Sequence, residues 1–220
     1  MTSWPSAGAN AVKTELYRQL RLQKGVTAVI GSGGKTTLMN CLCRELPGTV
    51  IVCTSTRIFP AEGLPLFTGT LNAMPCPKLC LGTPAEQHKL AAPVQSFEEL
   101  ATLADYVLVE ADGSKHLPLK AHEDHEPVIP TCANQVIQVV GISGIGCPIR
   151  EAAHRPERFA ERSGAAVTDI ATLERTAKVL NTEALADRYV LNQADGPEER
   201  KWAMSLSFLL DRPCIITSLK

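Results

Sequence analysis

The chain has no stretch approaching the ~18 consecutive apolar residues that would span a bilayer. It has no cationic excess either: 22 Lys and Arg stand against 23 Asp and Glu, for a formal charge of −1. Sequence-independent nucleic-acid binding needs a strong basic surplus, and no Lys/Arg run supplies one. The opening Met1-Thr2-Ser3-Trp4-Pro5-Ser6 lacks a basic segment leading into an apolar one, as a signal peptide would have. The expectation is a cytoplasmic chain with neither membrane nor nucleic acid as partner. No C-x-x-C pair occurs among the eight cysteines. Without an export signal, free buried thiols are the expectation for Cys41, Cys53 and Cys214 rather than disulfides. Cys76 and Cys80 have a C-x-x-x-C spacing that could contribute to a metal site.

What is present is ordinary globular material. With 220 residues, 45% hydrophobic and 20% charged, one α/β domain over residues 1–220 is expected, with 1–10 as a frayed tail. Apolar runs at Val26–Ile30, Val50–Cys53, Lys78–Leu81, Tyr106–Val109, Val136–Val140, Tyr189–Leu191 and Cys214–Thr217 read as buried strands. Between them lie amphipathic helices at Ala11–Leu22 and Thr36–Leu46, then one capped by Ser96 and Glu99 and running through Leu103. Another is capped by Thr168-Asp169, and a last one opens at Pro197. Residues 59–95 are rich in Pro and Gly and otherwise give no clear pattern. The alternation predicts a P-loop NTPase-like α/β fold, a mostly parallel sheet with helices on both faces. Ligands bind beyond the carboxyl ends of such strands, which is where the polar motifs fall.

Gly31-Ser32-Gly33-Gly34-Lys35-Thr36-Thr37 follows the first strand and opens a helix. Glycines let backbone N–H groups face a phosphate without Cβ interference, and the helix N-terminus adds positive potential. Lys35 is predicted to reach the β- and γ-phosphates, Thr36 to ligate Mg²⁺, and Thr37 to contact the α-phosphate. The pattern G-x-x-x-x-G-K would require glycine at position 29, where Val29 stands, so the loop is a shortened form.

Glu110 and Asp112 end the 106–109 strand on the same side, as in a Walker B segment. One carboxylate could hold the metal and the other position a water for attack on the γ-phosphate. Lys35, Glu110 and Asp112 are the expected catalytic groups. Lys115, His116, Lys120, His122 and His125 follow, mixed with Glu123, Asp124 and Glu126; most read as a solvated charged loop, with Lys120 and Glu126 set apart. Asn192-Gln193-Ala194-Asp195 sits where GTPases carry N-K-x-D, making Asn192 and Asp195 candidates to read a guanine. The turn-forming habit of Asn and Asp is the alternative. The nucleotide is therefore ATP or GTP, with Mg²⁺.

These segments together resemble the selenium cofactor biosynthesis protein YqeC family. The matching residues are Gly31 to Thr37, Thr54-Ser55-Thr56-Arg57-Ile58, Val107 through Lys115, and Pro118-Leu119-Lys120-Ala121. His125-Glu126-Pro127-Val128-Ile129-Pro130 is the most specific block, followed by His154-Arg155-Pro156-Glu157 and Leu191 through Asp195. The chain departs from the family at His122, where proline is usual, and at Gln193, where lysine is. The resemblance implies a nucleotide-dependent accessory step, a hydrolase reaction by expectation, in maturing selenium-dependent molybdenum hydroxylases. It also implies a hydroxylase or another maturation factor as partner. Thr56, Arg57, Lys115, Lys120, His125, Glu126, His154 and Arg155 become further site candidates through these blocks. Two other functions fit the same loop: an ATP-dependent ligase of the Mur type, and a non-catalytic nucleotide-gated chaperone.

Overall fold

In a computed structural model, residues 15–219 are described; the 1–10 tail and the start of the 11–22 helix lie outside them. Eight strands form one sheet: β1 (Gly25–Gly31), β2 (Val50–Thr54), β3 (Leu66–Phe67), β4 (Lys78–Leu81), β5 (Tyr106–Glu110), β6 (Ala133–Gly141), β7 (Arg188–Asn192) and β8 (Cys214–Ile216). Their order is β8-β7-β6-β1-β5-β2-β4-β3, and every neighbouring pair is parallel. The continuous apolar runs are explained by this arrangement, since strands covered on both faces need no polar alternation.

The helices are α1 (Leu16–Gln19), α2 (Lys35–Glu45), α3 (Phe97–Leu103), α4 (Ile149–Ala152), α5 (Pro156–Ser163), α6 (Leu173–Glu183) and α7 (Pro197–Leu209). α1 and α2 cover the face bearing Val29, Val52, Leu108 and Val139. On the opposite face α3 packs over Ile51, Cys53 and Val107, while α5, α6 and α7 pack over Val140, Tyr189 and Leu191. Among the described residues no helix is long and apolar enough to cross a membrane.

Most predicted elements form, and the differences have local causes. The Ser96–Glu99 capping box is present in full. The helix expected to start at Thr168-Asp169 starts instead at Leu173, because Thr172 Oγ1 accepts the Arg175 N–H. Asp169 accepts from Ala166 N–H and Arg175, and Ile170 is exposed outside the helix. In α7, Leu206 is buried but Leu209 is exposed. All eight thiols are free; Cys53 is buried, whereas Cys41 and Cys214 are only half-buried. Cys80 is buried in β4, and the Cys76 thiol donates to Lys78 O.

Two small ladders lie outside the main sheet. One pairs Leu119–Lys120 with Ala153–His154 in parallel; the other joins Arg57–Ile58, Leu90–Ala91 and Thr83–Pro84. Because every main strand runs the same way, Gly31, Thr54, Glu110, Gly141 and Asn192 finish at one edge of the sheet. The chain places β5 and β2 on one side of β1 and β6 on the other, so the direction of winding reverses at β1. That is the switch point where open α/β sheets bind ligands.

Candidate nucleotide-binding site

Val29 is fully buried in β1, in register with Glu110 and Ile137. The strand continues to Gly31, so Ser32, Gly33 and Gly34 alone separate it from α2. Gly31, Gly33 and Gly34 all have positive φ, at 90°, 87° and 120°. At Gly33 a Cβ would lie 2.4 Å from both the N and Cα of Gly141, contacts that backbone cannot relieve. The Gly31 and Ser32 N–H groups are already used, donating to Asp112 Oδ2 at 2.7 Å and Val139 O at 2.9 Å. Gly34 at the N-cap offers no side-chain acceptor, so the first amides of α2 remain open to an anion.

Neighbouring segments hold this loop in shape. Asn192 Nδ2 donates to Gly33 O at 2.8 Å, and its Oδ1 accepts the Leu219 N–H at 2.8 Å. Ser32 Oγ donates to Leu117 O, and the Gly141 N–H donates to Pro118 O at 2.8 Å. Asn192 is thus a buried strut of the loop. Asp195 is exposed and accepts from Ser218 Oγ, and Gln193 Oε1 accepts from Ser143 Oγ at 2.6 Å.

Behind the loop lies a buried chain of charges. Lys35 Nζ donates to Gly31 O at 2.8 Å and pairs with Asp112 Oδ1 at 2.9 Å and Glu110 Oε1 at 3.7 Å. Asp112 Oδ2 takes the Gly31 amide, Lys120 Nζ at 3.1 Å and His122 Nε2 at 2.8 Å. His122 Nδ1 meets Glu183 Oε2 at 2.6 Å, and Arg162 Nη1 donates to both Glu183 Oε1 and the His122 carbonyl. Lys120 also donates to Gly113 O at 2.6 Å and pairs with Glu126 Oε2 at 3.3 Å, whose Oε1 accepts from Arg155 Nη2 at 3.1 Å.

This geometry divides the two acids. Burial would raise the Asp112 carboxyl, but the His122 hydrogen bond and the charges of Lys35 and Lys120 outweigh it and hold Asp112 well below the usual carboxylate range. Glu110 moves upward instead, since burial and the Asp112 charge exceed the pull of Lys35. Burial would lower His122, but its two carboxylate partners raise it above the ordinary imidazole value.

Mg²⁺ fits one acid better than the other. Asp112 is wholly enclosed: its Oδ2 takes three donors, and its Oδ1 faces the Lys35 ammonium without a hydrogen bond. Glu110, beside the Thr36 hydroxyl, keeps a 12% exposed side chain. One carboxylate and a hydroxyl, completed by phosphate oxygens and waters, is a usual Mg²⁺ environment. Among the described residues no three or more His, Cys, Asp and Glu side chains converge as a ready-made metal cage.

The structure brings Lys35, Glu110, Asp112, Lys120, Glu126 and Arg155 together, with His154 beside Lys120 in the small ladder. It leaves Lys115 and His125 exposed in the loop. Thr54 and Thr56 fasten β2 to β5: Thr54 Oγ1 donates to Glu110 O at 2.7 Å and accepts the Thr56 N–H at 2.9 Å. Arg57 is exposed in the second ladder. Glu183 and Arg162 carried no local signal, and the charged-loop expectation did not foresee His122 as a buried link.

Fold and loop together define an α/β protein of P-loop NTPase-like architecture. The YqeC protein family matches residues 27–157. Uncharacterized protein YqeC of Escherichia coli (strain K12) is 35% identical over 170 residues, covering 68% of this chain and 64% of that relative. The chain belongs to the YqeC family, and the match spans under two thirds of this relative's length.

Proposed function

We propose that the chain binds the Mg²⁺ complex of ATP or GTP at Gly31–Thr37 and acts on its γ-phosphate as an NTPase. The observation that supports this is the Lys35 ammonium, fixed 2.9 Å from the buried Asp112 at the mouth of a three-glycine turn. In this reading the open amides of α2 and Lys35 hold the phosphates, while Thr36 and Glu110 hold the metal, which supplies charge neutralisation at the β- and γ-oxygens. Asp112 orients Lys35, and Asn192 keeps the turn closed. The setting follows from the family resemblance: maturation of selenium-dependent molybdenum hydroxylases, with a hydroxylase or another maturation factor as partner.

The test is a calorimetric titration with ATP, GTP and non-hydrolysable analogues in Mg²⁺, followed by product analysis. Lys35→Ala should weaken binding by about 100-fold, the scale of a lost charge-assisted contact. Since this substitution also strips Asp112 of a partner, Thr36→Ala on an exposed side chain is the companion, expected to lose the Mg²⁺ dependence. Glu110→Gln should weaken the Mg²⁺ dependence as well and slow turnover. With Glu110 ionised as the working form, wild-type turnover should rise as pH passes its elevated pKa, a limb the glutamine variant lacks. Unchanged affinity in the lysine and threonine variants overturns the reading.

A further inference from the structure

A second group of polar residues adjoins the phosphate loop without being used by it. His154 is the register partner of Lys120 in the parallel ladder, so the two side chains leave the same side of that ladder. Lys120 in turn touches Asp112, which ties this group to Lys35. His154 is 7% exposed, yet its Nδ1 has no hydrogen-bond partner. The next residue, Arg155, reaches Glu126 with Nη2 while its buried Nε is likewise unpartnered. Buried polar atoms are nearly always paired, and two bare ones on consecutive residues require an explanation.

The surroundings suit an anion. Burial lowers the His154 imidazole below its ordinary pKa, and the charges of Lys120, Arg155 and, least, Lys115 add to this against the single charge of Glu126. Arg155 also keeps a left-handed backbone, φ 66° and ψ 60°, at the N-cap of α5, with no side chain capping the first turn. A non-glycine residue adopts that conformation uncommonly, and the guanidinium it carries turns to Glu126 rather than to the helix end.

We propose that Lys115, His154 and Arg155 form an oxyanion subsite beside the phosphate loop, which receives the carboxylate or phosphate of a second, acceptor substrate. The acceptor role rests on the nucleotide reading above; oxyanion binding itself does not. Such an acceptor takes the place of water. Its oxygen forms a bond to the γ-phosphorus as the bond to the β–γ bridging oxygen breaks, and that electron pair leaves with the nucleoside diphosphate. An ionised carboxylate or phosphate needs no base for this step.

Inorganic phosphate and, separately, acetate are titrated into the nucleotide-free full chain, monitored by the ¹⁵N resonances of the His154 ring and by calorimetry. The expected result is a saturable shift at millimolar concentrations with one anion or both, which identifies the acceptor group. Arg155→Gln and the exposed Lys115→Glu should each weaken it about tenfold, with ADP affinity unchanged in Lys115→Glu. The absence of a saturable shift in the wild-type ring, or wild-type affinity in both variants, overturns the proposal. So does a shift erased by a non-hydrolysable triphosphate analogue but not by ADP, since the cluster would then seat the γ-phosphate. Oxyanion binding that persists in a chain unable to bind nucleotide keeps the subsite and removes only the nucleotide reading.

Discussion

Asp112 Oδ2 takes an amide, an imidazole and the Lys120 ammonium at once, while its Oδ1 faces Lys35 alone, so the place of this buried carboxylate is set by the groups around it. Such a carboxylate is placed to orient Lys35, and under the function proposed above the metal falls to the more exposed Glu110. The same bonds give the fold a pH dependence. The folded pKa of His122 is raised, so its contribution is complete below its ordinary value of about 6.5 and is lost as pH rises through the elevated one. Asp112 behaves oppositely: its contribution is complete above about 3.9 and lost as pH falls through the depressed value. Replacing His122 by Asn removes the first of these and leaves two buried carboxylates short of a partner, at a cost of about 3–5 kcal/mol. Melting curves from pH 6 to 9 should therefore fall more steeply for wild type than for His122→Asn. Parallel curves would mean that the imidazole is not held charged.

At the scale of elements, the shortened loop follows from the length of β1. The strand stays paired through Val29, Ile30 and Gly31, and the turn begins only at Ser32. What remains is tight enough that Gly33 abuts Gly141 at the end of β6. Gly33→Ala should destabilise the chain and abolish nucleotide binding, because neither backbone can move away. Gly63→Ala, also at positive φ but with nothing within 4 Å, is the control for backbone strain alone. Equal melting and binding losses in the two variants would show that the close approach to β6 contributes nothing. The strands at this edge were legible because each is a continuous apolar run. Leu66–Phe67, Thr83–Pro84 and Leu90–Ala91 were not, since two-residue strands have no periodicity to read. The short α4 and the α5 that follows His154-Arg155 escaped notice for a related reason, one having four residues and the other a strongly charged sequence.

Across the whole molecule, the legible part of the site is the part carried by local sequence: the glycine turn with its lysine, and the acidic strand end. The illegible part is long-range. Glu183 closes on His122 from 61 positions away, and Asn192 reaches Gly33 across 159, contacts that only the parallel winding of β1, β6 and β7 creates. His122 joins the glycine loop, through Asp112, to the end of α6. The loop is thereby tied to β6, β7 and α6, so ligand binding should act on the stability of the whole chain. A ligand at 100 times its dissociation constant adds about 2.7 kcal/mol to the folded state. At roughly 2–4 °C per kcal/mol for a chain of this size, the midpoint should rise by about 5–10 °C. Thermal unfolding with Mg²⁺ and the preferred nucleotide should show that rise as one transition, lost in Lys35→Ala. In Asn192→Ala the rise at the same ligand concentration should shrink, because the unbraced turn binds more weakly. A midpoint indifferent to every nucleotide would remove the loop as a binding site, and a full rise in Asn192→Ala would separate the loop from the strand that braces it.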